Sequence, residues 1–313
     1  MTLSQALMGL AGGFVSALLF SAVLGGGALG APLLLLSPLP ILIASLGWGT
    51  IAGALAGLAA AVFVGVTTAP ELGFGYLLVA SGPAAWYGHV IGLARPRDED
   101  GSLEWYPLWR VLTSMTIITA VTLVVAGWLV GLDIDEMSGT LADTLAALNT
   151  DPTVPTPDRQ VMLDATRVYV RIMPVTTAML WMSVMALVIW LGARVVKVSG
   201  RLQRPWDSIP DTIGLPATFV PVFALAAVAA LSDSPLGLMA GAVAGAVGMG
   251  FAFQGFAVVH VLTRGLPART MILGLLYTFT FLFSLPLLFM ALAGMADAIR
   301  SLRGGKKPNA AGT

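Results

Sequence analysis

The chain has 313 residues, of which 57% are hydrophobic and 10% are charged, and its 16 Lys and Arg residues balance 16 Asp and Glu residues. A soluble domain carries about 25% charged residues, so this composition excludes a water-soluble globular protein and indicates a protein of the lipid bilayer. The balanced charge gives no support to nucleic-acid binding, and the lack of cysteine excludes disulfides, thiolate metal sites and cysteine nucleophiles.

Apolar runs of about 20 residues, the length that crosses the hydrocarbon core as a helix, recur along the whole chain. We therefore predict an all-α, polytopic membrane fold with eight or nine transmembrane segments. The first run lacks a basic leader and is interpreted as a retained helix rather than a cleaved signal. The predicted segments cover residues 3–24, 31–46, 49–66, 72–93, 108–130, 173–195, 213–231, 236–261 and 271–292.

Prolines interrupt two of these segments. The second contains Pro32, Pro38 and Pro40, each of which removes a backbone donor, so we expect a short or discontinuous span there. The last segment is interrupted by Pro286. These are the two places where we expect a departure from a regular crossing.

The connection between the fifth and sixth segments, residues 132–170, is a long acidic excursion. Its pattern predicts two amphipathic helices, one over 138–149 and one that begins at Thr156-Pro157. The second helix is expected to continue into the sixth segment with a kink near Pro174. The two apolar stripes consist of Leu141, Leu145 and Leu148 in the first helix, and of Val161, Ala165, Val168 and Ile172 in the second.

Basic residues alternate between connections, which orients the chain because Lys and Arg concentrate on the cytoplasmic side. The short loops after the first, second, third and seventh segments carry none of them. This alternation predicts a cytoplasmic N-terminus and an external 132–170 excursion. The basic connections contain Arg95, Arg97 and Arg110; Arg194, Lys197, Arg201 and Arg204; and Arg264 and Arg269.

The basic tail disagrees with nine full crossings, which would place Arg300, Arg303, Lys306 and Lys307 outside. We expect instead that the last segment is irregular, which gives eight crossings and a cytoplasmic tail. The predicted organisation is a six-helix membrane block at 1–197 with its excursion, a C-terminal helical membrane block at 213–303, and a disordered tail at 304–313.

Small residues recur every four positions on three segments, a spacing that lets helix backbones approach closely. Tight packing within the chain is the first interpretation, and a docking face for another membrane protein is the alternative. The residues are Gly9, Gly13 and Ala17; Gly49, Gly53 and Gly57; and Gly237, Gly241 and Gly245.

Polar side chains at membrane depth are costly, so they are the first candidates for a binding site. His89, Arg110, Gln254 and His260 are the candidates for contact with a small-molecule ligand. Three of them have a structural alternative, because the histidines lie near predicted inner boundaries and Gln254 can bond a neighbouring helix.

Motifs of catalysis are missing from the sequence, which contains no HExxH, GxSxG or Walker A motif. No pair of carboxylates lies inside an apolar segment. We therefore predict a protein that is not an enzyme, with no catalytic residues, no metal and no cofactor.

The last third of the chain resembles a known family. The residues that carry this resemblance are a Phe-Gln-Gly-Phe-Ala-Val-Val-His run at 253–260 and Gly294-Met295-Ala296-Asp297, which leads into Arg300 and Arg303. They resemble the YybS-like family of predicted bacterial membrane proteins of unknown function. Asp297 is in addition placed to pair with Arg300 at a spacing of i, i+3.

The first six segments are similar to the substrate-binding membrane component of energy-coupling factor transporters, and to the cell-shape protein MreD. The former resemblance implies that Gly9, Gly13 and Ala17 dock a coupling subunit, and that a solute binds near the outer face beneath the excursion. It also implies a multi-pass protein of the bacterial inner membrane.

Two functions follow from these resemblances. The first is small-molecule transport or solute binding, with a ligand between the first six helices. The alternative is an MreD-like scaffold for the assembly of cell-envelope proteins. The expected partners are the lipid bilayer, a membrane protein and a small-molecule ligand. Convergence of His89, Arg110, Gln254 and His260 on one cavity would favour the first function, and their scatter would favour the second.

Overall fold

The computed structural model describes residues 1–97, 102–148 and 158–304. Its described residues are mainly helical, and their strands are confined to one short hairpin, which confirms the all-α membrane fold. Six helical stretches are long and apolar enough to cross a membrane, namely Leu3–Gly25, Gly30–Trp48, Thr50–Thr67, Leu108–Val130, Arg159–Val198 and Pro235–Leu262.

The elements follow one another through short connections. The helices of the first half are α1 (Leu3–Ser21), α2 (Gly30–Leu36), α3 (Leu39–Trp48), α4 (Thr50–Thr67), α5 (Pro70–Tyr76), α6 (Gly82–Ile91) and α7 (Leu108–Val130). Antiparallel strands β1 (Ala94–Pro96) and β2 (Leu103–Trp105) connect α6 to α7. The later helices are α8 (Ile134–Leu148), α9 (Arg159–Val198), α10 (Ile209–Thr212), α11 (Phe219–Ala229), α12 (Pro235–Leu262), α13 (Arg269–Leu282) and α14 (Leu285–Arg300).

Proline interrupts the second and fourth crossings. The second is divided into α2 and α3 at Ser37-Pro38, as the sequence predicts. In the fourth, one turn of π-helix at Leu77–Ser81 joins α5 to α6. Pro83 has no N–H for the carbonyl of Val79, and the indole nitrogen of Trp181 in α9 donates to that carbonyl at 3.1 Å instead. A side chain from another crossing thus satisfies the free backbone group.

Close helix contacts use the small residues within the chain itself. A Cβ placed on Gly13 of α1 would lie 2.7 Å from the carbonyl oxygen of Ala56 in α4, and Ala17 is buried. Gly245 of α12 meets the carbonyl of Val175 in α9 in the same way. Gly9, Gly53 and Gly57 also lie close to neighbouring elements of the bundle. Gly241 meets side-chain atoms of α9, and Gly237 meets the carbonyl of Ser232 in the turn before its own helix. Gly49 separates α3 from α4 at φ +94°.

Helix α9 is longer than any crossing requires. Its 40 residues extend about 60 Å, whereas the whole bilayer with its headgroups is about 40–45 Å thick. Arg171 of α9 forms an ion pair with Asp233, in the turn before α12. The part of α9 that precedes Arg171 therefore projects beyond the other membrane-crossing helices. Pro174 lies inside the helix without ending it.

The projecting part of α9 packs against α8 as an antiparallel hairpin. Thr166 donates to the carbonyl of Ser138 at 3.0 Å, and Arg167 and Arg159 pair with Asp135 and Asp143 along one edge. The helix begins at Arg159, and the predicted start at Thr156-Pro157 lies outside the described residues. Leu141 of the first predicted stripe is half-buried. The other residues of the two predicted apolar stripes are exposed, namely Leu145, Leu148, Val161, Ala165, Val168 and Ile172.

The seventh predicted segment is helical only over α11, whose 11 residues extend about 16 Å. This length is about half of a 30 Å hydrocarbon core. Residues 213–218 precede the helix as a non-helical connection that continues towards α10. The segment is therefore a discontinuous crossing, which the sequence pattern does not predict.

The last segment forms a helical hairpin rather than one interrupted span. The break falls at Phe283-Ser284, and Pro286 lies in the first turn of α14. Arg264 after α12 pairs with Asp211, while Arg303 after α14 contacts the neighbouring carbonyl of Pro210. The hairpin therefore begins and ends at the same face. This arrangement agrees with eight crossings and with the expected side of the tail, of which residues 305–313 lie outside the described part of the chain.

One apolar core contains side chains from both predicted blocks, including Leu42 and Val188 from the first and Phe251 and Ala291 from the second. The division of the chain into two blocks stays a prediction.

Candidate functional site

One face of the helix bundle collects the basic residues, and we call it the basic face. It is the face at which α3, α6, α9 and α12 end. Arg201 after α9 lies over the ring of Trp48 at the end of α3, at 4.5 Å from the ring centre. Among the described residues, Arg159, Arg167 and Arg171 of the α8–α9 hairpin are the Lys and Arg residues that lie elsewhere. This distribution predicts that the basic face is cytoplasmic.

A cavity of about 760 Å³ opens at the basic face, and we call it the polar cavity. The start of α7, the connection between α9 and α11, and the end of α14 enclose it. Three carboxylates and two guanidinium groups contribute to its wall, together with the backbone of the discontinuous segment. The charged residues of the wall are Arg204, Asp207, Asp211, Asp297 and Arg303.

Gln254 of α12 supports the discontinuous segment at one end of this cavity. Its side-chain oxygen accepts a hydrogen bond from the backbone N–H of Leu215 at 2.8 Å, and both residues are buried. Its side-chain nitrogen donates to a carboxylate oxygen of Asp297 at 2.7 Å. Gln254 therefore satisfies a backbone group that a regular helix would have satisfied internally.

Arg303 and Asp297 complete this network, which we call the buried clamp (Gln254, Asp297 and Arg303). The guanidinium group of Arg303 donates to Asp297 at 2.8 and 3.0 Å, and to the carbonyls of Pro210 and Ile213 at 2.7 and 2.9 Å. Asp297 is 4% exposed. The clamp thus ties α12, α14 and the discontinuous segment together with a buried ion pair whose hydrogen bonds offset its desolvation.

The carboxylate of Asp297 pairs with Arg303, so the pair with Arg300 predicted from the i, i+3 spacing is wrong. Ser301 ends α14 in the left-handed conformation, at φ 53°. This turn returns the chain towards Asp297, because the backbone N–H of Arg303 also donates to that carboxylate at 3.2 Å.

Two glycines bring the clamp residues together. A Cβ on Gly255 would overlap the carbonyl of Met290, and a Cβ on Gly294 would overlap the carbonyl of Phe251. Helices α12 and α14 therefore touch backbone to backbone at this crossing, which places the neighbouring Gln254 and Asp297 within hydrogen-bond distance. The Gln-Gly and Gly-x-x-Asp patterns of the sequence are thus two halves of one contact.

Arg204 holds the opposite wall of the polar cavity. It pairs with Asp207 at 2.7 Å and donates to the carbonyls of Ile91 and Tyr106 at 3.3 and 2.8 Å. It is 9% exposed. At the rim, hydrogen bonds from Arg264 and Ser208 lower the pKa of Asp211 to about 2. Asp207 and Asp211 are thus each paired with an arginine.

The four candidates from the sequence do not share one cavity. Gln254 lines the polar cavity. His89 shares a hydrogen bond with Thr50 at 2.8 Å, and His260 shares one with Tyr277 of α13 at 2.8 Å. The guanidinium group of Arg110 is exposed and lies over the neighbouring Trp109 and Tyr106 rings. Ligand contact by these residues stays a prediction, and their scatter is the arrangement that favours a scaffold.

The sequence reasoning missed Arg204, Asp207 and Arg303 as members of the cavity wall. The i, i+3 spacing of Gly294 and Asp297 can be seen in the sequence. The contacts of Arg303 with the carbonyls of residues 210 and 213 join positions about 90 residues apart, and no sequence pattern indicates them. Among the described residues, no group of three His, Cys, Asp or Glu side chains is placed to hold a metal ion.

Comparison with known proteins relates the chain to a family of membrane proteins. The family model described as "Predicted membrane protein (DUF2232)" matches residues 14–298, nearly the whole chain. No curated protein and no solved structure matches. The match supports membership of a membrane family, while the resemblance to YybS-like proteins, to energy-coupling factor components and to MreD stays a prediction.

Proposed function

Because this chain belongs to the DUF2232 family of predicted membrane proteins, we propose that it is a multi-pass membrane protein that binds a small solute at its basic face. The observation that carries this proposal is the polar cavity of about 760 Å³, whose wall includes a discontinuous crossing. Binding sites for small molecules commonly have volumes of about 300–1,000 Å³. In many transporters the substrate site is formed by discontinuous helices.

The charges of the wall indicate the class of solute. Arg204, Arg303 and Asp211 each have an oppositely charged partner, as do Asp207 and Asp297. A ligand with a large net charge would have to break one of these pairs. The cavity therefore suits an uncharged or zwitterionic solute that bonds polar groups of its wall without an ionic partner, such as the hydroxyl of the exposed Thr218.

This site differs from the one that the transporter resemblance implies. That resemblance places the solute near the outer face, beneath the excursion. The polar cavity lies at the opposite face, between the C-terminal helices and the start of α7. The proposal therefore gives the α8–α9 hairpin no role as a lid.

The proposal is tested by filling the polar cavity. Ala217 is exposed and lines the cavity, so Ala217→Trp places an indole inside it. Ala224 is exposed on α11 and does not line the polar cavity, so Ala224→Trp is the matched control. Thermal unfolding of purified protein against a metabolite library should reveal a stabilising solute for the natural protein and for Ala224→Trp. At a saturating solute concentration, Ala217→Trp should lose about 1.4 kcal/mol or more of that stabilisation, which corresponds to a tenfold or greater loss of affinity. The proposal would be overturned if a solute stabilised the two variants equally. It would also be overturned if no solute in the library stabilised the natural protein.

A membrane scaffold is the second candidate. Two observations favour it: the scatter of His89, Arg110 and His260, and the exposed apolar residues of the α8–α9 hairpin, such as Leu148 and Val168. The same purification separates the two functions. A scaffold would co-purify with a defined membrane protein in constant proportion, and no solute would stabilise it.

A further inference from the structure

A second, almost wholly apolar cavity of about 260 Å³ lies between α7 and α9, and we call it the apolar cavity. Leu108 and Met115 of α7 form one wall, and Ile189 of α9 forms the other. Trp190, which is 45% exposed, also lines it, so the cavity reaches the outer surface of the bundle. Because both helices cross the membrane, that surface is in contact with lipid.

Trp206 closes the apolar cavity at the basic face, and two cations lie over its ring. Lys197 is 4.4 Å and Arg194 is 5.8 Å from the ring centre. Both belong to the last turns of α9, and they follow Trp190 at helical spacing on one side of the helix. The cations, the indole and the mouth of the apolar cavity are therefore neighbours.

These two cations differ from the other arginines of the site. Arg204, Arg264 and Arg303 are each paired with a carboxylate. Within the part of the chain that the structure describes, neither Arg194 nor Lys197 has a carboxylate within ion-pair distance. Their charge is available to an external anion at the depth of the lipid headgroups.

We propose that α7, α9 and Trp206 bind one anionic phospholipid of the leaflet at the basic face. The phosphate lies between Arg194 and Lys197, and one acyl chain enters the apolar cavity. Basic pockets between crossing helices at the cytoplasmic side are typical sites for acidic lipid headgroups. A free phosphate compound would use the cations alone and would leave the apolar cavity without an occupant.

The lipid site is separate from the proposed solute site, although the two cavities have part of their walls in common. The Arg204–Asp207 ion pair contributes to the walls of both cavities. Arg194, Lys197 and Trp190 do not line the polar cavity. Failure of one proposal is therefore distinguishable from failure of the other, and Ala217→Trp should leave lipid binding unchanged.

The headgroup is tested by removing the charges of Arg194 and Lys197. We compare Arg194→Gln/Lys197→Gln with Arg269→Gln/Arg300→Gln, which removes the same charge from a half-buried and an exposed position of the same face. Each protein is reconstituted in nanodiscs of mixed phosphatidylglycerol and phosphatidylcholine, and the retained lipids are counted by native mass spectrometry. Retention of phosphatidylglycerol over phosphatidylcholine should fall about tenfold or more in the first variant, since each surface cation contributes appreciably to acidic-lipid binding.

Two outcomes would overturn this part of the proposal. One is an equal loss in both variants, which would show a diffuse attraction by the whole basic face. The other is equal retention of the two lipids by the natural protein. A thermal unfolding curve for each variant shows that the protein remains folded.

The acyl chain is tested by competition. Glycerol phosphate, which has no acyl chain, should displace phosphatidylglycerol far less well than lysophosphatidylglycerol does. Ala193 lines the apolar cavity, so Ala193→Phe should remove the advantage of the lysolipid. Equal competition by the two compounds against the natural protein would show that a free phosphate compound suffices, and would overturn the lipid assignment even if Ala193→Phe does not fold.

Discussion

The buried clamp shows how single polar residues stabilise irregular backbone in a membrane. Gln254 and Arg303 bond the N–H of Leu215 and the carbonyls of Pro210 and Ile213. In lipid, each of these groups would cost several kcal/mol if it were left without a partner. The polar residues at this depth therefore have a structural task, whatever ligand the adjoining cavity binds.

Asp297 is the residue on which the clamp depends most. Asp297→Ala removes the acceptor for both Gln254 and Arg303 and leaves the guanidinium group buried without a counter-charge. We expect a loss of about 3–5 kcal/mol in the free energy of unfolding, measured by denaturant unfolding in detergent micelles. Arg300→Gln on the same helix should change it by less than about 0.5 kcal/mol. Similar losses in the two variants would contradict the clamp.

The sequence identified Gln254 as a buried polar residue but not its partners. Rarity of polar groups in lipid is enough to single out one side chain. Pairing depends on which helices cross, and residues 254, 297 and 303 come together only through the α13–α14 turn. The same limit explains the incorrect pairing of Asp297 with Arg300, which rested on helix spacing alone while the helix ends at Arg300.

At the scale of helices, small residues decide which crossings touch. The sequence predicted close packing along α1, α4 and α12, and Gly13 and Gly245 do contact other helices. It did not predict the closest crossing, between Gly255 and Gly294, because a single glycine on each helix forms no repeat. Period-four patterns detect a stripe of contacts, whereas a single close approach needs only one small residue on each helix.

Gly294 should tolerate no side chain. In Gly294→Ala the new methyl group would overlap the carbonyl of Phe251 and push α14 from α12. We expect a loss of about 1–3 kcal/mol in the free energy of unfolding. Gly274→Ala is the matched control, because a Cβ there has nothing within 4 Å. That variant should gain up to about 1 kcal/mol from helix propensity. A gain at both positions would show that the two helices do not touch at Gly294.

Across the whole molecule, the charge distribution predicted the path of the chain through the membrane better than the apolar runs alone did. The runs alone give nine segments, and the basic tail then falls on the wrong side. The charge distribution required one irregular segment, and the α13–α14 hairpin is such a segment. The discontinuous crossing at 213–229 remained hidden, because an extended stretch of Ile, Leu and Pro has the same hydropathy as a helix.

The arrangement of the faces is measurable because the natural chain has no cysteine. Single cysteines replace exposed residues of connections: Leu266 and Leu302 at the basic face, and Thr140 and Leu231 at the opposite face. An impermeant maleimide should label Thr140→Cys and Leu231→Cys in intact cells, and the other two only after permeabilisation. Since α13 and α14 return to the face that they leave, Leu266→Cys and Leu302→Cys must always label together. If Leu302→Cys were labelled in intact cells while Leu266→Cys was not, the last hairpin would have to cross the membrane. If all four variants showed the opposite labelling, the fold would stand, but the basic face would lie outside the cell and the orientation predicted from the charges would be wrong.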